Sequence, residues 1–166
     1  MMPFLRIGIV GCGRLARQGY VPALAGMPAL QVVAVADPDP VRRSLVAAAV
    51  GGSPAQLTSA SELVAAGPID AVLIASPVDQ HVDDAAMASS AGLPALLEKP
   101  PARDAATASQ LASLEVGPYL GFNRRFDPGA RAARDARADL ASCTLDLALH
   151  YRRASWAPYQ VDDDAL

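Results

Sequence analysis

Short, unbroken apolar runs alternate along most of this chain with segments of helical composition, and Gly and Pro mark the joins. Leu5–Val10, Leu30–Ala36, Ala71–Ala75, Ala95–Leu97 and Tyr119–Phe122 read as strands, and their lack of a polar face is the pattern of parallel strands buried on both sides. Between them a helix begins near Arg14, and a second opens at Asp39-Pro40, runs through Val50 and is ended by Gly51-Gly52. Ser61-Glu62-Leu63 starts a short helix that stops at Gly67-Pro68; His81–Ala91 and Asp104–Leu114 are the next two. Strands and helices in alternation predict an α/β fold, a doubly wound parallel sheet. A last helix, Pro128–Ala138, is rich in Ala and Arg. Beyond it Cys143, Leu145, Leu147, Leu149 and Tyr151 alternate with Thr144, Asp146, Ala148, His150 and Arg152, a period of two that marks a strand with one wet face. We read residues 1–122 as one domain and residues 123–166 as a connecting helix plus the first strand of an incomplete second α/β domain. Such a strand cannot bury its leucines alone, which predicts self-association into a homo-oligomer.

Composition narrows the function classes. The 166 residues are 52% hydrophobic and only 5% aromatic, so the core is built from small aliphatic side chains. A net charge of -3 gives no general surface for nucleic acid. Five arginines between positions 124 and 137 do cluster, but Asp127 and Asp135 are interleaved with them, as on a solvated helix face. No apolar run is long enough to cross a bilayer, and no cationic stretch leads into one at the amino terminus, which predicts a cytoplasmic protein without a membrane partner. The two cysteines and two histidines are far apart in sequence and suggest neither a disulfide framework nor a metal site.

The first 37 residues carry the most chemistry. Strand Leu5–Val10 runs into Gly11-Cys12-Gly13-Arg14-Leu15-Ala16, a helix follows, and the next strand ends at Asp37. For a dinucleotide, Gly11 permits the tight turn, Gly13 lets backbone approach the pyrophosphate, and a small residue at Ala16 lets helix pack on strand. The helix N-terminus turns free N–H groups and a positive dipole end toward phosphate. Asp37, 21 residues past Ala16, is placed for the hydroxyls of the adenosine ribose. A carboxylate there favours NAD over NADP, although Arg42 and Arg43 stand close in sequence. The glycine pattern alone would also fit an ordinary turn between strand and helix; the strand, helix and acid around it set it apart.

These motifs, taken in order, resemble the Gfo/Idh/MocA family of NAD(P)-dependent oxidoreductases, which act mostly on sugars, cyclitols and their relatives. Gly11-x-Gly13-x-x-Ala16 is similar to the family's cofactor loop, and Ala36-Asp37-Pro38-Asp39-Pro40 to its second-strand end. Ala75-Ser76-Pro77 with His81 resembles its fourth-strand loop, Glu98-Lys99-Pro100 its signature tripeptide, and Gly121–Pro128 its sixth-strand segment. The resemblance implies a Rossmann domain with NAD as cofactor and Lys99 as the catalytic residue, its ammonium on the substrate oxygen beside the carbon that exchanges hydride. It implies a cofactor set of Gly11, Gly13, Arg14, Leu15, Ala16, Asp37, Ser76, Pro77, His81 and Glu98. By its place at a helix start, His81 reads chiefly as a structural histidine, and Glu98 as a support for Lys99. Val78 stands where many relatives carry Asn, and Pro101 where Leu is common. The family's second domain bears an Asp and a His of the active site on a helix that this chain does not reach, so the resemblance implies a chain truncated after its Rossmann domain.

Three functions fit to different degrees. An NAD-dependent dehydrogenase accounts for all the motifs; a non-catalytic NAD-binding module or partner subunit accounts for the glycine turn and Asp37; an S-adenosylmethionine-dependent transferase leaves Glu98-Lys99-Pro100 unexplained. Without that resemblance, Glu98-Lys99-Pro100 also fits a surface turn with an ion pair.

Overall fold

A computed structural model describes residues 4–137 of the chain. Its strands are β1 (Leu5–Val10), β2 (Leu30–Ala36), β3 (Ala55–Leu57), β4 (Ala71–Ile74), β5 (Ala95–Leu97) and β6 (Tyr119–Leu120). They form one sheet in the order β3-β2-β1-β4-β5-β6, with every neighbouring pair parallel. This is the doubly wound arrangement, and its order reverses between β1 and β4. Gly11 and Asp37 follow β1 and β2 at the same edge at which Ser76 and Lys99 follow β4 and β5.

The helices divide between the two faces. α1 (Val21–Ala25) and α2 (Pro40–Val50) cover one, where Ile9, Val35, Val46, Cys12 and Ala16 are buried together. α3 (Ala60–Ala65), α4 (His81–Ser90) and α5 (Ala105–Ala112) cover the other, around Leu63, Ile74, Leu97 and Leu111. Three of these helices are started by side chains: Asp39 accepts from Val41 and Arg42 N–H, Ser59 from Glu62 N–H, and Asp104 from Thr107 N–H. On the first face, Tyr20, Leu24, Met27 and residues of β1, β4, β5 and β6 wall an apolar cavity of about 400 Å³.

Most elements stand where the hydrophobic pattern puts them. β3 is the exception, since Ala55-Gln56-Leu57 is too short and too polar to show as a run. The helix after the glycine turn differs in kind. It starts at Arg14, winds as a π-helix over Ala16–Tyr20 and only then becomes α1. β6 is confined to Tyr119 and Leu120, two residues shorter than its apolar run.

The chain divides into two units between Phe122 and Asn123. In the second, a 3-10 turn (Asn123–Phe126) precedes α6 (Pro128–Arg137), whose first amides at Gly129 and Ala130 donate to Asp127. The guanidinium groups of Arg125 and Arg131 lie 5.0 and 5.7 Å from the centre of the Phe126 ring. The strand expected at Cys143–Arg152 lies outside the described residues.

Candidate functional site

The loop after β1 is shaped by two glycines with different surroundings. Gly11 has φ +88°, and a Cβ there would meet Ser76 N at 2.4 Å and the Ala75 carbonyl carbon at 2.5 Å. Only glycine lets the loop cross so close to the end of β4. A Cβ at Gly13, by contrast, would meet nothing within 4 Å. The space beside Gly13 is open, at the start of a helical turn whose first backbone bond runs from Arg17 N–H to the Gly13 carbonyl at 3.1 Å. The amide groups at the start of a helix are the kind of donor that can hold a phosphate. Ala16 is fully buried against the sheet, Arg14 is half-buried and Leu15 is 46% exposed.

Asp37 is buried at the end of β2. One carboxylate oxygen accepts the Cys12 N–H at 2.8 Å, and the other accepts the Asp39 N–H at 2.9 Å. Asp37 therefore also ties the glycine loop to the second strand, a role its spacing alone does not reveal. Each oxygen keeps a second lone pair for another donor. The arginines beside it are engaged locally, Arg43 with the carbonyls of Asp37 and Pro38, and Arg42 with Asp39 at 3.3 Å. Cys12, enclosed in the loop beside Asp37, has its thiol pushed up to about 12, first by burial and then by that carboxylate.

At the neighbouring strand ends, Ser76 and Glu98 are half-buried, while Pro77 and Lys99 are exposed. Glu98 accepts the Tyr20 hydroxyl on one oxygen and the Lys99 N–H, at 2.9 Å, on the other. Gly121 packs so closely on Glu98 that a Cβ would sit 3.2 Å from its Oε1. The peptide between Lys99 and Pro100 is cis. Thus the backbone of Lys99 is fixed by a carboxylate while its side chain reaches outward. His81, 2% exposed, lies beneath these loops with Nδ1 2.9 Å from the Pro100 carbonyl and Nε2 2.9 Å from that of Ser76. The Ser76 hydroxyl donates to Asp84 at 2.5 Å. Burial pushes the Asp84 carboxyl up, opposed by that hydrogen bond and by His81.

Tyr20 is the residue that the motifs do not mark. Burial, the hydrogen bond to Glu98 and its charge push the phenol well above its ordinary range. A signal was present: Ala16, Tyr20 and Leu24 repeat at a spacing of four on the helix face turned to the sheet, where a tyrosine hydroxyl needs a partner. The cofactor-loop residues, Asp37, Ser76, Pro77, His81, Glu98 and Lys99 lie on or beside one edge of the sheet. Among the described residues no group of three or more His, Cys, Asp or Glu side chains is placed to hold a metal, and no helix is long and apolar enough to cross a membrane.

This geometry agrees with the comparisons. The family model described as an oxidoreductase family with an NAD-binding Rossmann fold, Gfo/Idh/MocA, matches residues 5–117. The chain belongs to the Gfo/Idh/MocA family. Its relatives include the rhizopine catabolism protein MocA of Rhizobium meliloti, 37% identical over 81% of this chain and 42% of that protein. An inositol 2-dehydrogenase of the same organism is 34% identical over 81% of this chain and 41% of its own length. Among solved structures, the scyllo-inositol dehydrogenase of Lactobacillus casei with bound NAD(H) and scyllo-inositol superposes with a TM-score of 0.67, at 28% identity, over 80% of this chain and 40% of that one. The chain spans about two-fifths of the length of these Gfo/Idh/MocA relatives.

Proposed function

We propose that this domain holds NAD(H) along the carboxyl edge of its sheet for hydride exchange with a hydroxyl-bearing carbon of a sugar- or cyclitol-like molecule, and that it prefers NAD over NADP. The observation that carries the reading is the contrast between Gly11, packed against backbone, and Gly13, open at a helix start beside Asp37. A chain with no ligand to admit has no need of that second glycine. When bound, the nicotinamide cofactor supplies the group that takes or gives the hydride.

The protein's own part begins at Asp37, whose spare lone pairs accept ribose hydroxyls and whose charge repels a 2′-phosphate. Lys99 presents its ammonium at the end of β5, where it hydrogen-bonds the substrate oxygen and stabilises charge that develops there. Glu98, braced by Tyr20, holds the Lys99 backbone so that the ammonium swings from a fixed point. The proton on the reacting hydroxyl needs a second group facing Lys99. We assign that group to the part of the relatives' length that this chain does not span.

Calorimetric titration of the purified chain with NADH and NADPH tests the cofactor assignment. NADH should bind more tightly, and Asp37→Asn, which keeps one acceptor for the loop, should narrow the gap. Equal or reversed affinities in the wild type would remove Asp37 from its role.

A further inference from the structure

His81 is the most deeply buried polar side chain among the described residues, and its surroundings specify its protons. Each ring nitrogen lies 2.9 Å from a backbone carbonyl oxygen, Nδ1 from Pro100 and Nε2 from Ser76. A carbonyl only accepts, and a neutral imidazole has a single N–H to give. With one proton, one of the two contacts would set a nitrogen lone pair against an oxygen lone pair in a dry site. Turning the ring over would place carbon against both oxygens instead. Both contacts are hydrogen bonds only when both nitrogens carry hydrogen.

A buried cation requires a counter-charge close by. Asp84, one turn along α4, is half-buried, interacts electrostatically with His81 and accepts the hydroxyl of the same Ser76 whose carbonyl the ring meets. The other charged groups on the elements packed here are engaged or turned outward: Asp79 pairs with Arg103, Glu98 is held by Tyr20 and the Lys99 amide, and Asp83 and Lys99 are exposed.

We propose that His81 is a buried imidazolium, countered by Asp84, and that it is a positioning residue for Lys99. Its two N–H groups clasp the loop after β4 at Ser76 to the backbone one residue past Lys99, while Glu98 pins the Lys99 amide from the other side. Loss of the His81 proton leaves one carbonyl without a donor and frees one end of the clasp. The lysine that meets substrate in the reading above would then lose a fixed base without itself changing charge. The significance for Lys99 rests on that reading; the protonation state does not.

The chain has two histidines, so long-range proton–nitrogen NMR of a uniformly labelled sample resolves them, with His150→Gln assigning the remaining ring to His81. The expected result at neutral pH is that both His81 nitrogens give protonated-ring shifts, and that Asp84→Asn moves the ring to a single-proton form. A His81 ring with one bare nitrogen in the wild type at neutral pH would overturn the inference. Asp84→Asn should move the Lys99 amide resonance together with the His81 ring shifts, and an indifferent Lys99 amide would overturn the positioning role. Neither readout depends on cofactor affinity, so a failure here is distinguishable from a failure of the NADH titration.

Discussion

Gly11 and Gly13 look alike in the motif and differ in what constrains them. Gly11→Ala forces a side chain into the backbone at Ala75 and Ser76 with a left-handed φ. Each of those faults costs about 1–3 kcal/mol, so the variant should lose roughly that sum in urea denaturation. Gly13→Ala meets open space and should leave the unfolding free energy within about 0.5 kcal/mol of wild type. Its effect should appear in the NADH titration as an affinity loss of about tenfold or more, because a methyl group would stand where the pyrophosphate approaches. Tyr20 and Cys12 give an alkaline signature. Both are acids held protonated by burial, the thiol raised from 9.0 to about 12, so the native state keeps protons that the unfolded chain releases. Stability should therefore be fully present below pH 9.0 and fall as pH rises from there toward 12. Tyr20→Phe should flatten part of that decline, followed by denaturation across the alkaline range.

Elements were legible in the sequence where burial was two-sided or a cap was explicit. β1, β2 and α2 follow their apolar runs and the Asp39-Pro40 start closely. β3 was not legible because a three-residue edge strand with an exposed Gln56 has neither length nor periodicity to declare it. The π-helical stretch was hidden for another reason. Composition reports helix but not whether the turn carries an extra residue, and here that turn ends on Tyr20. At the opposite edge of the sheet, β1 and β4 are joined by a pair that no motif marks. The Arg6 guanidinium and N–H both donate to Asp70, whose own N–H donates to the Arg6 carbonyl at 2.8 Å. The Arg6 hydrogen bonds hold the Asp70 carboxyl down at about 2 from an ordinary 3.8. A lowered carboxyl stabilises the fold above the unfolded value, so that contribution should be lost as pH falls from 3.8 toward 2. Asp70→Asn should be less stable than wild type at neutral pH and less sensitive over that acid range, followed by circular dichroism.

For the whole molecule, the doubly wound topology was legible because each crossover is short and β1, β4, β5 and β6 end at a Gly, Ser-Pro or Lys-Pro break. The site was legible as a line of loops along one edge, since parallel strands bring all their carboxyl ends together. What the sequence could not show is how those loops hold one another: Asp37 to Cys12, Tyr20 to Glu98, His81 to two carbonyls. Such ties span from 5 to 78 residues and follow no local period. The apolar cavity beside α1 has a practical consequence of its own. Anilinonaphthalene sulfonate fluoresces on wet hydrophobic surface and is used to flag loosely packed intermediates. With about 400 Å³ walled by Leu24, Met27, Leu96 and their neighbours, the fully native protein should light the dye. Leu24→Lys should quench that signal without disturbing near-ultraviolet circular dichroism. In refolding experiments the emission would therefore persist at the end point, and a bright dye would mark the finished fold as readily as an unfinished one.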